Sequence, residues 1–174
     1  MFVLGHVGIG KKMATRPYRR FSRVDKRAFF VGVLLPDLID KPLYYIWAWL
    51  TGKHGASAGI ISGTHLFAHT GLFLVVLIVA GLVTRSQPLR ALAIGVATHL
   101  ALDGLGLSLG LRTLLWPLLG WHFPSYPFRN LTEHLATVLR PVALVGEVLG
   151  AVILWLDYRK ARLRRASDPM SASG

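Results

Sequence analysis

His99 and Asp103 stand four positions apart in GVATHLALDGL (95–105), inside a run from Ala91 to Leu111 that is otherwise almost wholly apolar. On a helix, positions i and i+4 share one face, so both side chains can reach the same atom. The pattern recurs: His65 and His69 have the same spacing in GTHLFAHT (63–70), and Asp37 and Asp40 stand three apart in LLPDLIDKP (34–42). Imidazole and carboxylate are donors that zinc and similar divalent cations accept, and side chains from facing helices are how bundles supply them. A bound cation would also neutralise the aspartates, which are costly to place in apolar surroundings. The chain has no cysteine, which excludes thiolate metal sites and disulfides.

These pairs must be positioned by the segments that carry them. The chain has 174 residues, 53% hydrophobic and only 16% charged, which is too apolar for an ordinary soluble domain of this size. Stretches near 20 residues long with few charges predict an all-α fold, a polytopic membrane helical bundle of about four transmembrane helices. The expected spans are 28–50, 60–83, 91–111 and 134–156, together one domain over residues 1–158, with a basic tail at 159–174 expected to be disordered. The first span contains Pro36 and Pro42 and is expected to be broken or kinked. Residues 2–9, with His6, are too short to span and are expected to be re-entrant or interfacial. The apolar part of the N-terminus precedes its basic part, the reverse of a secretory signal, so it is expected to be retained. Trp116, Trp121, Tyr126 and Phe128 fit an aromatic belt at the headgroups.

The net charge of +12 is unevenly spread. Fifteen Lys and Arg fall in the N-terminal segment, the 84–90 turn and the tail, against three in the other two loops (Lys53, Arg112 and Arg129). That asymmetry predicts a cytoplasmic (inner) membrane protein with both termini cytoplasmic. The basic segments then serve as membrane anchors, with membrane lipids as partners; no nucleic acid is expected, because no recognition motif accompanies the charge.

Depth gives a second argument. At about 1.5 Å per helical residue, Asp37, Asp40, His69, His99 and Asp103 all lie roughly 12–18 Å from a membrane face, close to the midplane of a core about 30 Å thick. Lys11 belongs at the surface, and the five residues before it reach about 16 Å if extended, which brings His6 to the same level. The predicted metal ligands are therefore His6, Asp37, His65, His69, His99 and Asp103, with one or two zinc ions as cofactor. Glu147 is either a further ligand, a partner of Arg140 or a packed bundle residue.

Gly5-His6, LLPDLIDKP, GTHLFAHT, GVATHLALDGL and LLWP (114–117) occur in this order. Together they resemble the LexA-binding, inner-membrane-associated hydrolase family, also described as membrane-bound metal-dependent hydrolases. The resemblance covers roughly residues 1–120. Many members carry PDxDH where this chain has PDLID followed by Lys41, so a histidine is missing and Asp40 is displaced by one. The order is also similar to the zinc phospholipase C and single-strand nuclease superfamily, whose later histidine–acid pair is absent here, since Val138 stands four residues after His134.

The resemblance implies metal-dependent hydrolysis of a phosphate ester, plausibly a lipid-like or other small-molecule phosphoester, a phosphodiesterase-type reaction. Zinc held by His69, His99 and Asp103 would activate water, Asp37 or Asp40 would take its proton as the catalytic carboxylate, and Lys41 would assist at the phosphoryl group. Two other classes use the same intramembrane cluster: a haem-binding electron carrier with axial histidines, and an ion-transporting protein with midplane carboxylates.

Overall fold

The computed structural model describes residues 3–14, 21–105, 109–125, 132, 136 and 141–167. Every regular element among them is helical: α1 (Val3–Met13), α2 (Arg23–Thr51), two 3₁₀ turns (Gly55–Ala58 and Phe67–His69), α3 (Gly71–Val83), α4 (Gln87–Leu105), the single turn α5 (Leu111–Leu114) and α6 (Pro141–Ser167). The all-α expectation holds in this respect.

Helix α2 begins at a capping box. Ser22 Oγ accepts from the Asp25 N–H and Asp25 Oδ2 accepts from the Ser22 N–H, which satisfies two of the helix's orphan donors. It ends at Gly52, whose left-handed φ of 65° lets its N–H return to the Ala48 carbonyl. Between these caps the helix runs through Pro36 and Pro42 unbroken. Helix α3 is capped by Thr70, whose hydroxyl accepts from the Phe73 N–H.

Glycines set the spacing of the packed helices. A Cβ on Gly32 of α2 would fall 2.1 Å from the Leu92 carbonyl oxygen of α4, and one on Gly95 would fall 2.3 Å from the Phe29 carbonyl oxygen. The α2–α4 backbones therefore meet where neither side carries a side chain. Phe29, Val33, Ala91 and Ala14 fill the core beside this contact. Helices α1 and α6 approach as closely at Gly8 and Gly150, where a Cβ on Gly8 would sit 2.4 Å from the Gly150 oxygen. Contacts rise together along both helices, from Gly5 beside Glu147 to Lys11 beside Asp157, so α1 and α6 run parallel.

Three features differ from the sequence reading. The segment expected to span from residue 60 is irregular up to Thr70, and its helix is only the thirteen residues of α3. The tail expected to be disordered from residue 159 is helical through Ser167. An extended N-terminus would carry His6 about 16 Å from Lys11, but residues 3–13 form a helix, so those five residues rise only about 7.5 Å. Among the described residues, no helix is long and apolar enough to cross a membrane. The reasons lie partly in the site residues: α2 carries Asp37, Asp40 and Lys41 at its centre, and α3 is short because the chain before it wraps around Asp40. The faces turned away from the core are nonetheless strongly apolar. In α3 only Gly81 is buried, and Leu72, Val75, Val76, Ile78, Val79, Leu82 and Val83 are exposed.

Candidate metal centre

Four parts of the chain deliver to one place six side chains of types that can ligate a metal. His6 comes from α1, Asp37 from α2, His65 and His69 from the segment before α3, and His99 and Asp103 from α4. His6, His69 and His99 are completely buried and Asp103 almost so, while Asp37 and His65 are partly buried. Asp103 lies at the middle. Its Oδ2 is 3.4 Å from His99 Nε2, 3.5 Å from His65 Nε2 and 3.7 Å from His69 Nε2, and its Oδ1 is 3.3 Å from His6 Nε2. Asp37 Oδ1 is 3.6 Å from His69 Nε2 on another side.

Two imidazoles are fixed in orientation and tautomer from behind. His69 Nδ1 donates to Asp40 Oδ2 at 2.7 Å, and His99 Nδ1 donates to the Val33 carbonyl at 2.7 Å. A carboxylate and a carbonyl can only accept, so each Nδ1 carries a proton, and with both rings neutral each Nε2 presents a lone pair. Those two lone pairs face each other across 3.2 Å. Two neutral acceptors at that distance repel, and a proton on one ring or a metal ion between them relieves the repulsion.

The geometry fits a metal. Donors held at about 2.0–2.1 Å in a tetrahedral zinc site stand roughly 3.3–3.4 Å from one another. His69 Nε2, His99 Nε2 and Asp103 Oδ2 form a triangle with edges of 3.2, 3.4 and 3.7 Å, and His65 Nε2 is 3.5 Å from the Asp103 corner. Charge fits as well. The carboxylates of Asp37, Asp40 and Asp103 and the ammonium of Lys41 sum to −2 with neutral imidazoles, which a divalent cation cancels. The His69 and His99 nitrogens stand too close together for a porphyrin to pass between them, which disfavours the pair as axial haem ligands.

The local sequence explains how each group is held. Asp40 is fully buried and gathers the backbone N–H groups of Leu66 (2.7 Å), Ala68 (3.1 Å) and His69 (3.2 Å) in addition to the His69 ring. The chain from 66 to 69 is thereby wound around the carboxylate, and His65 and His69 are neighbours in a turn, with ring centroids 4.5 Å apart, rather than on one helical face. Leu66, Phe67, Tyr44, Phe123 and Trp116 pack behind the turn, so Trp116 belongs to this cluster. In α2, Pro36 supplies no N–H to its own helical ladder, and the Val33 carbonyl in the turn before it accepts from His99. Asp37 Oδ2 is paired with Lys41 Nζ at 2.6 Å, one helical turn away.

The structure thus brings together all six residues expected as ligands, and it separates the two carboxylates expected as alternatives for the proton. Both oxygens of Asp40 are occupied by hydrogen bonds, which makes it the support of His69, whereas Asp37 faces the cluster. Glu147 lies away from the cluster: its oxygens accept from the Leu4 and Gly5 N–H groups, each at 3.0 Å. The sequence signal for this was faint, a lone acid on an apolar helix. The Val33 carbonyl had no sequence signal, since a backbone acceptor carries none. His54 and His122 are exposed, and Gly106, Tyr126, Phe128, Arg129, His134, Val138 and Arg140 lie outside the described residues. Compared with family models, curated proteins and solved structures, the chain matches none.

Proposed function

We propose that the chain is a membrane-embedded metal-dependent hydrolase whose centre holds zinc or a similar divalent cation on His69, His99, Asp103 and His65. The observation that carries the reading is the convergence of two Nδ1-protonated imidazoles and a carboxylate oxygen on one point at tetrahedral-edge distances. The cation, when bound, supplies Lewis acidity and makes water acidic enough to react near neutral pH.

The protein's own groups supply the rest. Asp37 is the carboxylate left to take a proton, since Asp40 is committed to His69 and the turn before it. Lys41 holds Asp37 in place and puts one positive charge at the edge of the cluster, which suits an anionic phosphoryl group. His6 meets the oxygen of Asp103 that the other histidines do not use, so His6 and Asp103 would be the residues to hold a second cation. The phosphoester class rests on the motif resemblance. A lipid-like substrate and a membrane location accord with the exposed apolar faces of α3 and of α6, where Leu144, Val145, Val148, Leu149, Val152 and Leu156 face outward. The uneven basic charge supports a reading with both termini on the cytoplasmic side.

Elemental analysis of the purified protein beside His99→Ala and Asp103→Ala tests the centre. The wild type is expected to carry a stoichiometric divalent metal that both variants lose; no metal in the wild type, or the same amount in the variants, would sink the proposal. A phosphodiesterase screen with chelation and metal add-back then tests the reaction, and activity indifferent to chelation would reject it.

A further inference from the structure

We infer that Glu147 is a positioning residue for this centre: by capping the N-terminus of α1 it fixes where His6 meets Asp103. The inference rests on the metal reading above. Helix α1 has eleven residues, a length at which an isolated helix is marginal, so its position is set by what it docks against. Its main partner is α6. At the start of α1 the first N–H groups have no partner inside the helix, and Glu147 accepts two of them, Leu4 on Oε2 and Gly5 on Oε1, both at 3.0 Å. A carboxylate is also the favourable charge at that end of a helix.

The residue next to this cap is His6. Gly5 leaves the room the carboxylate needs, because a Cβ there would sit 2.8 Å from Glu147 Oε1. Further along, the Gly8–Gly150 contact sets the distance between the helices, and the Lys11–Asp157 ion pair holds the far end. These two contacts restrain separation and the C-terminal end of α1, whereas Glu147 grips the backbone beside the ligand. Sliding α1 by one residue would move His6 about 1.5 Å and turn it by about 100°. The 3.3 Å approach of His6 Nε2 to Asp103 Oδ1, and the stacking of the His6 ring on His99 at 4.1 Å between centroids, would both be lost. Glu147 is therefore used as a register pin, acting on the metal only through His6.

The test is a double-mutant cycle on the full-length protein in detergent, with zinc affinity read by chelator competition. Glu147→Ala is expected to weaken zinc about 10-fold or more, as the loss of a supporting group around a metal does, and His6→Ala to weaken it at least as much. In the His6→Ala background, Glu147→Ala should then change affinity by under about twofold, because the ligand it positions is gone. Glu147→Gln, which keeps one acceptor oxygen, should fall between wild type and Glu147→Ala, and it replaces the alanine in the same cycle if that variant does not fold. Equal losses with and without His6, or a Glu147 variant that binds as the wild type does, would overturn the inference while leaving the metal centre intact. A wild type that binds no zinc would remove both.

Discussion

Replacing Asp40 by asparagine changes one atom and removes one charge, and the effect can be worked out bond by bond. Asp40 Oδ2 accepts three hydrogen bonds, from the Leu66 and His69 N–H groups and from His69 Nδ1, and Oδ1 accepts one from Ala68. The amide's less costly orientation keeps its oxygen on the three-bond side and sets its NH₂ against the Ala68 N–H. The Ala68 N–H then loses its acceptor, which costs about 1–3 kcal/mol, and the new NH₂ faces it as a second buried donor. The His69 ring bond also falls from charge-assisted to neutral, roughly halving its strength. Together these predict a loss of at least about 2 kcal/mol in stability. The imidazole loses the carboxylate that raises its donor strength and fixes its tautomer, and zinc affinity should fall by about 10- to 100-fold, or about 1.4–2.7 kcal/mol. Denaturant unfolding of the metal-free protein and chelator competition with zinc measure the two effects separately. An Asp40→Asn protein that unfolds as the wild type does and binds zinc within about twofold of it would refute the account of how His69 is held.

Packing and charge lead to further expected outcomes. Gly32→Ala forces a Cβ to within 2.1 Å of the Leu92 carbonyl oxygen, so α2 and α4 must part; thermal unfolding should show a loss of about 3 kcal/mol or more, with weaker zinc binding because Asp37 and His99 move apart. Gly104→Ala, with nothing within 4 Å, should instead be neutral or slightly stabilising in the same measurement. Asp157 is held below its usual range by the hydrogen bond and charge of Lys11, so its contribution is present above the ordinary value of 3.8 and fades as pH falls through its lower folded value. Asp157→Asn should therefore speed amide exchange in α1 at pH 7, and its difference from the wild type should close only in strong acid.

Much of the candidate site was legible because its members are chemically conspicuous. A histidine or aspartate in an apolar run carries a cost that demands a partner, and the depth estimate grouped Asp37, Asp40, His69, His99 and Asp103; Asp40 instead sits behind His69, and His65, outside that grouping, meets Asp103. The local backbone was less legible. The GTHLFAHT segment reads as the start of a long apolar helix, yet its N–H groups are taken by Asp40, a carboxylate 26 to 29 positions earlier. Periodicity describes a segment's own pattern and cannot report an acceptor so far away. The same applies to Pro36, which reads as a helix breaker but sits in a helix packed along α4 through Gly32 and Gly95. Asp40 and Asp37 look alike in sequence; only their surroundings assign one to support and the other to the cluster.

The pairing of α1 with α6 has a consequence for the order in which the protein is built. His6 is the first of these donors to be synthesised, and the bonds from Leu4 and Gly5 to Glu147 close over 143 and 142 positions. Long-range closures of this kind form late, because the intervening chain must be ordered first. Asp37, His69, His99 and Asp103 can therefore assemble while the chain is still growing, and the earliest residue made is the last to be set in place.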